Sequence, residues 1–167
     1  MPEKKTIKRA QQAKRAGKSP STQAGEFVHE EIEHIRKGKH GARSAKQAIA
    51  IGLSKARRAG VDLKPPAKGT VSEKTRKSAK QAYEKGRKHK PISRSRSRAG
   101  VRALKKESTA AASHTALSRQ THSAAKKRTA KDRSASARKA VRTKGPLERS
   151  EAAKKAARTR AHKKANA

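Results

Sequence analysis

Gly25-Glu26-Phe27-Val28-His29-Glu30-Glu31-Ile32-Glu33-His34-Ile35-Arg36-Lys37-Gly38 and, six residues on, Ser44-Ala45-Lys46-Gln47-Ala48-Ile49-Ala50-Ile51-Gly52-Leu53-Ser54-Lys55-Ala56-Arg57-Arg58-Ala59-Gly60-Val61 decide the fold. In the first stretch Val28, Ile32 and Ile35 fall at i, i+4 and i+7 with Phe27 beside them, which is one apolar stripe. Glu26, Glu30, Glu31 and Glu33 stand towards its start and Arg36 and Lys37 at its end, as the helix dipole favours. Gly38 is the expected stop. In the second stretch Ser44 can cap the free backbone amides, with Gln47 as its capping-box partner, and Gly60 ends the run with Val61 folding back. The spacing therefore predicts helices over about 26–37 and 44–59. Ala45, Ile49, Gly52, Leu53 and Ala56 form the buried face of the second, small enough for close approach by the first. The expected class is mostly α, with a two-helix module at its centre. Ile51 does not fit a simple hairpin, since it points about 200° away from Ile49. It is either exposed or packs against a second copy, giving a weak dimer.

Away from this module the chain changes character. Nine of the 19 non-alanine apolar residues lie in residues 25–63, where eight basic and five acidic groups leave a net charge of +3. Residues 1–24 carry +6 and residues 64–167 carry +27, within a total of +36 over 167 residues. The organisation read from this is a basic N-terminal arm (1–24), a helical hairpin (25–63), a Pro/Ser/Arg linker with a short helix (64–103) and an Ala/Lys/Arg-rich cationic tail (104–167). Only 17 residues are Leu, Ile, Val or Phe, and Ala supplies 32 of the rest counted as apolar. Such a chain has little to bury, so the flanks are expected to be disordered or conditionally helical. A globular enzyme is not expected.

Several classes fall away on absences. Without Cys there is no disulfide framework or thiolate site. Nothing approaches the roughly 18 consecutive apolar residues of a membrane span, and the basic N-terminus leads into Gln11 and Gln12 rather than an apolar stretch. The expectation is a soluble, cytoplasmic, nucleoid-located protein whose partner is a polyanion.

Opposite the apolar stripe, Arg43, Lys46, Lys55, Arg57 and Arg58 read as a cationic face for phosphate contact, although such a face is ordinarily just solvated. In the tail the matching candidates are Lys126, Lys127, Arg128, Arg138, Lys139, Lys154, Lys155, Arg158, Arg160, Lys163 and Lys164. Gly38-Lys39-His40-Gly41 has the G-x-x-G form of the loop with which KH domains clamp RNA, but the β-rich runs that fold requires are missing. A helix-turn-helix would want a shorter turn than residues 38–43. His29 and His34 are five apart and so do not share a face as in H-E-x-x-H; with His40 they read as exposed polar positions. No cofactor, metal or catalytic residue is expected.

The run from Lys46 to Gly60 resembles an uncharacterised family of small basic bacterial proteins that carries K-Q-A-I-A-I-x-L-S-x-A-R-x-A-G. That family usually places an M-H-E-F-K-type helix before the run; here Phe27-Val28-His29-Glu30 stands there with the order changed. The tail is similar in composition to bacterial histone-H1-like proteins, without their dense Lys-Pro repeats. The resemblance implies origin and architecture, and chromatin-like compaction as a role.

Two echoes run into the tail. Ser78-Ala79-Lys80-Gln81-Ala82-Tyr83 repeats the pattern of Ser44-Ala45-Lys46-Gln47-Ala48-Ile49, and Arg98-Ala99-Gly100-Val101 repeats Arg58-Ala59-Gly60-Val61. Ser93-Arg94-Ser95-Arg96-Ser97-Arg98 reads as a flexible cationic linker. Ala152 to Ala165 is rich in helix formers, but repulsion among its cations would melt it until phosphate neutralises them. The expected function is binding of double-stranded DNA without sequence preference, with RNA as the alternative partner. A membrane-directed role is disfavoured by the weak apolar moment.

Overall fold

In a computed structural model that describes residues 2–88, 93–143 and 145–165, the described residues are mostly helical, with no β-strand among them. It divides into two compact units, Met1–Thr121 and His122–Ala167.

The expected hairpin is the centre of the first unit. Its second helix, α3 (Ala45–Arg58; α1 and α2 precede it), forms as the sequence predicts. Ser44 Oγ accepts from the Gln47 amide at 3.2 Å, and Gln47 Oε1 accepts from the Arg43 amide at 2.7 Å. Gly60 takes a positive φ of 87°, and the Val61 amide reaches back to the Ala56 carbonyl at 3.1 Å, closing the last turn. The first helix of the pair, α2 (Pro20–Arg36), begins earlier than the apolar stripe alone predicts. Ser19 caps it and Pro20, whose missing N–H is no loss there, opens its first turn.

Residues 1–24 are not a free arm. Lys4–Arg15 form α1, which packs on α2 and buries Thr6, Ala10 and Ala13. Ala10 joins Ala24, Phe27, Ala56 and Val61 in one apolar cluster, with Ile7, Leu53 and Leu63 at its edge. Three small side chains in place of large ones explain why this helix is faint in an apolar count.

Residues 64–103 hold two helices rather than a linker: α4 (Glu73–Arg87) and α5 (Arg94–Lys105). The Arg-Ser run opens α5, where Ser93 serves as the N-cap. The echo between residues 44–49 and 78–83 marks a docking face used twice. Ala45, Ala48 and Gly52 are buried on α3, and Ala79, Ala82 and Gly86, each 34 positions later, are buried on α4. A Cβ on Gly52 would lie 2.6 Å from Val28 Cα on α2, and one on Gly86 would lie 1.9 Å from the Arg57 carbonyl oxygen on α3. Each helix thus presses the same A-x-x-A-x-x-x-G face onto the backbone of its predecessor. The second echo does not carry over: Gly60 ends α3, whereas Gly100 lies inside α5.

A 3₁₀ turn, Thr109–Ala112, packs into the core of this unit, and α6 (His114–Lys126) follows it. Ala111 and Ala112 pack with Ile35, Ala42 and Ala48, and Arg36 Nε donates to the Ala112 carbonyl at 3.0 Å. Ile51 is half-buried rather than freely exposed. The second unit contains α7 (Ala130–Thr143) and α8 (Pro146–Ala165). No residue of α7 is buried, and Leu147 at the start of α8 is 82% exposed. Thr129 and Asp132 cap α7 reciprocally: the Thr129 amide donates to Asp132 Oδ2 at 3.2 Å and the Asp132 amide to Thr129 Oγ1 at 3.1 Å.

Candidate nucleic-acid interface

The cationic stripe expected on α3 is only partly available. Arg43, Lys46 and Arg58 face solvent, Arg43 with a side chain 79% exposed and Glu107 3.9 Å away. Lys55 and Arg57 turn inward, and both assignments to phosphate are corrected. Lys55 follows Gly52 by three residues, so it shares the side of α3 that meets α2. There its ammonium donates to Oε2 of Glu31, a carboxylate with no solvent exposure. Arg57 is buried beneath α4, its Nε donating to the Leu63 carbonyl at 3.0 Å, and burial lowers its pKa from the usual guanidinium value. Lys55 ties α3 to α2, and Arg57 ties α3 to the segment that follows it; the charge count along the sequence did not distinguish them from their exposed neighbours.

The G-x-x-G loop is likewise taken by the chain itself. The Gly41 amide donates to the Leu104 carbonyl at 2.9 Å and the Ala42 amide to the Ser108 carbonyl at 3.0 Å. A Cβ on Gly41 would meet the Glu107 carbonyl oxygen at 1.9 Å, so this glycine exists for close backbone approach. A KH-type clamp on an external backbone has no free edge here.

One exposed cationic face was missed from sequence. Lys4, Lys8 and Arg15, with Ile7, Gln11 and Gln12, line a shallow hollow of about 420 Å³ on α1. Their i, i+4, i+11 spacing was the available signal, hidden because the segment reads as an arm.

In the second unit the predicted cations whose side chains are described all lie on the surface. Lys126 ends α6, Lys127 and Arg128 follow it, Arg138 and Lys139 lie on α7, and Lys154, Lys155, Arg158 and Arg160 lie on α8. The side chains of Lys163 and Lys164 lie outside the described residues. At about 100° per residue the α8 cations surround the helix rather than lining one side. Arg128 is engaged in part, donating to the Asp132 carbonyl at 2.9 Å and to Ser136 Oγ. Among the described residues, no lysine or arginine from Lys126 onward forms an ion pair with a carboxylate.

The histidines part company. His29 is exposed, as expected, but His34 and His40 are folded against carboxylates, with side chains only 12% and 10% exposed. His34 Nε2 lies 2.9 Å from Glu3 Oε1 and 3.8 Å from Glu30 Oε1; His40 Nε2 lies 3.3 Å from Glu31 Oε1. Hydrogen bonds from His34 and Lys39 hold the Glu3 carboxyl at about 2, below the usual carboxylate range. Sequence spacing within one helix could not show this, because His40 arrives from the α2–α3 loop and Glu3 from the start of the chain.

Neither a family model, nor a curated protein, nor a solved structure matches this chain. Among the described residues no helix is long and apolar enough to cross a membrane.

Proposed function

We propose that this protein binds double-stranded DNA without sequence preference, by phosphate neutralisation, as a histone-like, nucleoid-associated protein rather than an enzyme. The observation that carries the reading is the excess of positive charge in residues 122–167, 16 basic groups against three acidic ones, with the described lysines and arginines of this stretch on the surface. Base-edge readout needs side chains fixed in place; cations distributed around an exposed helix offer position-independent attraction instead. Arg43, Lys46 and Arg58, and the α1 face, add charge from the first unit. Neutralisation also relieves repulsion along α8, so binding deepens the helicity of this unit. RNA is the less favoured partner. Single-strand recognition uses aromatic stacking, while Phe27 is buried and Tyr83 is engaged by its hydroxyl with Asp62 and by Arg87 over its ring.

Titration against duplexes of unrelated sequence over a range of salt tests this. Affinities should agree within several-fold, and with ten phosphates contacted the log–log salt slope should be about −9. A strongly preferred duplex sequence, or tighter binding to structured RNA at equal salt, would replace this reading.

A further inference from the structure

Glu31, His34 and His40 lie outside the surface proposed to meet DNA. Ligand-type atoms from these three residues all lie within 4.8 Å of one another. Glu31 is fully buried, and its two carboxylate oxygens are treated differently: Oε2 accepts from Lys55, whereas Oε1 has no hydrogen-bond partner. An orphaned carboxylate oxygen in the interior is costly and needs a partner.

His40 supplies the second observation. Its Nδ1 lies 3.0 Å from the Gly41 carbonyl oxygen, which can only accept, so Nδ1 carries the proton and donates. Nε2 faces Glu31 Oε1 at 3.3 Å, and in the neutral imidazole with this tautomer it presents a lone pair to that electron-rich atom. Between a carboxylate oxygen and an imidazole nitrogen at this separation a cation belongs, and a proton on Nε2 or a metal ion can supply it. A tetrahedral ion with bonds of about 2.0–2.1 Å has a ligand-to-ligand edge of about 3.3 Å. The backbone bond at Nδ1 and the Glu3 carboxylate on His34 are contacts of the kind that orient metal-binding imidazoles. Glu30, beside His34, has a buried Oε2 that is also without a partner, which keeps the neighbourhood acidic within a strongly basic chain.

We propose that Glu31, His34 and His40 form a divalent transition-metal site, best suited to zinc, with two imidazoles and one carboxylate as ligands. The ion would tie the α2–α3 loop to α2 and leave Lys55 to neutralise the second oxygen of Glu31. The proposal departs from the expectation that no metal is bound, and it stands or falls independently of the DNA reading.

The test adds one equivalent of Zn²⁺ to the metal-free full-length protein without nucleic acid. The melting temperature should rise and return with a chelator, and imidazole nitrogen NMR signals of His34 and His40 should shift while those of His29 stay in place. The His40→Gln variant should bind at least about tenfold more weakly, and His29→Gln should bind as the parent does. The NMR arm uses the unaltered chain, so it decides the matter even if the variant misfolds. Unmoved His34 and His40 signals, or equal weakening by the two substitutions, would overturn the proposal.

Discussion

Gly25 and Gly52 lie in adjoining helices, and a methyl group added to each meets opposite circumstances. At Gly25, in α2, a Cβ has nothing within 4 Å. At Gly52 it would meet the α2 backbone at 2.6 Å. Replacing glycine by alanine inside a helix gains up to about 1 kcal/mol, whereas forcing extra volume into a packed contact costs about 1–3 kcal/mol. Gly25→Ala should therefore stabilise the protein and Gly52→Ala destabilise it, a difference that paired denaturant melts would resolve. The Lys55 contact is asymmetric too. Lys55→Met strands a buried carboxylate and should cost about 3–5 kcal/mol in the same assay. Arg58→Met, one step further on and exposed, should change stability by less than about 0.5 kcal/mol. Sequence marked Lys55, Arg57 and Arg58 as equals because charge type is local, while the carboxylate or carbonyl each one meets comes from elsewhere in the chain.

For whole elements, legibility followed side-chain size. α3 was readable to within a residue because Ser44, Gly60 and a run of aliphatic groups all point the same way. α1 and α4 were blurred since their buried faces are Ala10 and Ala13, and Ala79, Ala82 and Gly86, residues equally common on solvated surfaces. In α7 the capping pair offers a direct check. Bonds from the Thr129 hydroxyl and amide hold the Asp132 carboxyl below its usual range. That cap supports the helix at any pH above the range and is lost as acid protonates the carboxyl below it. Cα chemical shifts of residues 130–136 should show this acid fraying, and Asp132→Ala should show the frayed state at neutral pH.

On the scale of the molecule, the sequence located the excess charge correctly but not the boundary between the parts that carry it. A cut at residue 104 would remove Ala111 and Ala112, which belong to the hairpin's own core. The informative truncation removes residues 122–167 instead, the second compact unit. Its loss should weaken duplex binding far more than replacing Arg43, Lys46 and Arg58 together, and gel-shift titrations at matched salt would rank the two. The reverse ranking would place the interface on the first unit. The extent of helix outside the hairpin was the least legible feature, since hydropathy reports what a segment can bury and these helices bury little.

The pairing of Gly41 and Ala42 with Leu104 and Ser108 also sets an order of events during synthesis. At about 5–20 residues per second, the 70 residues from Gly41 to Ala111 take about 4–14 s to translate. For that interval the nascent hairpin waits with its loop amides uncovered, and it closes only when the 3₁₀ turn leaves the ribosome.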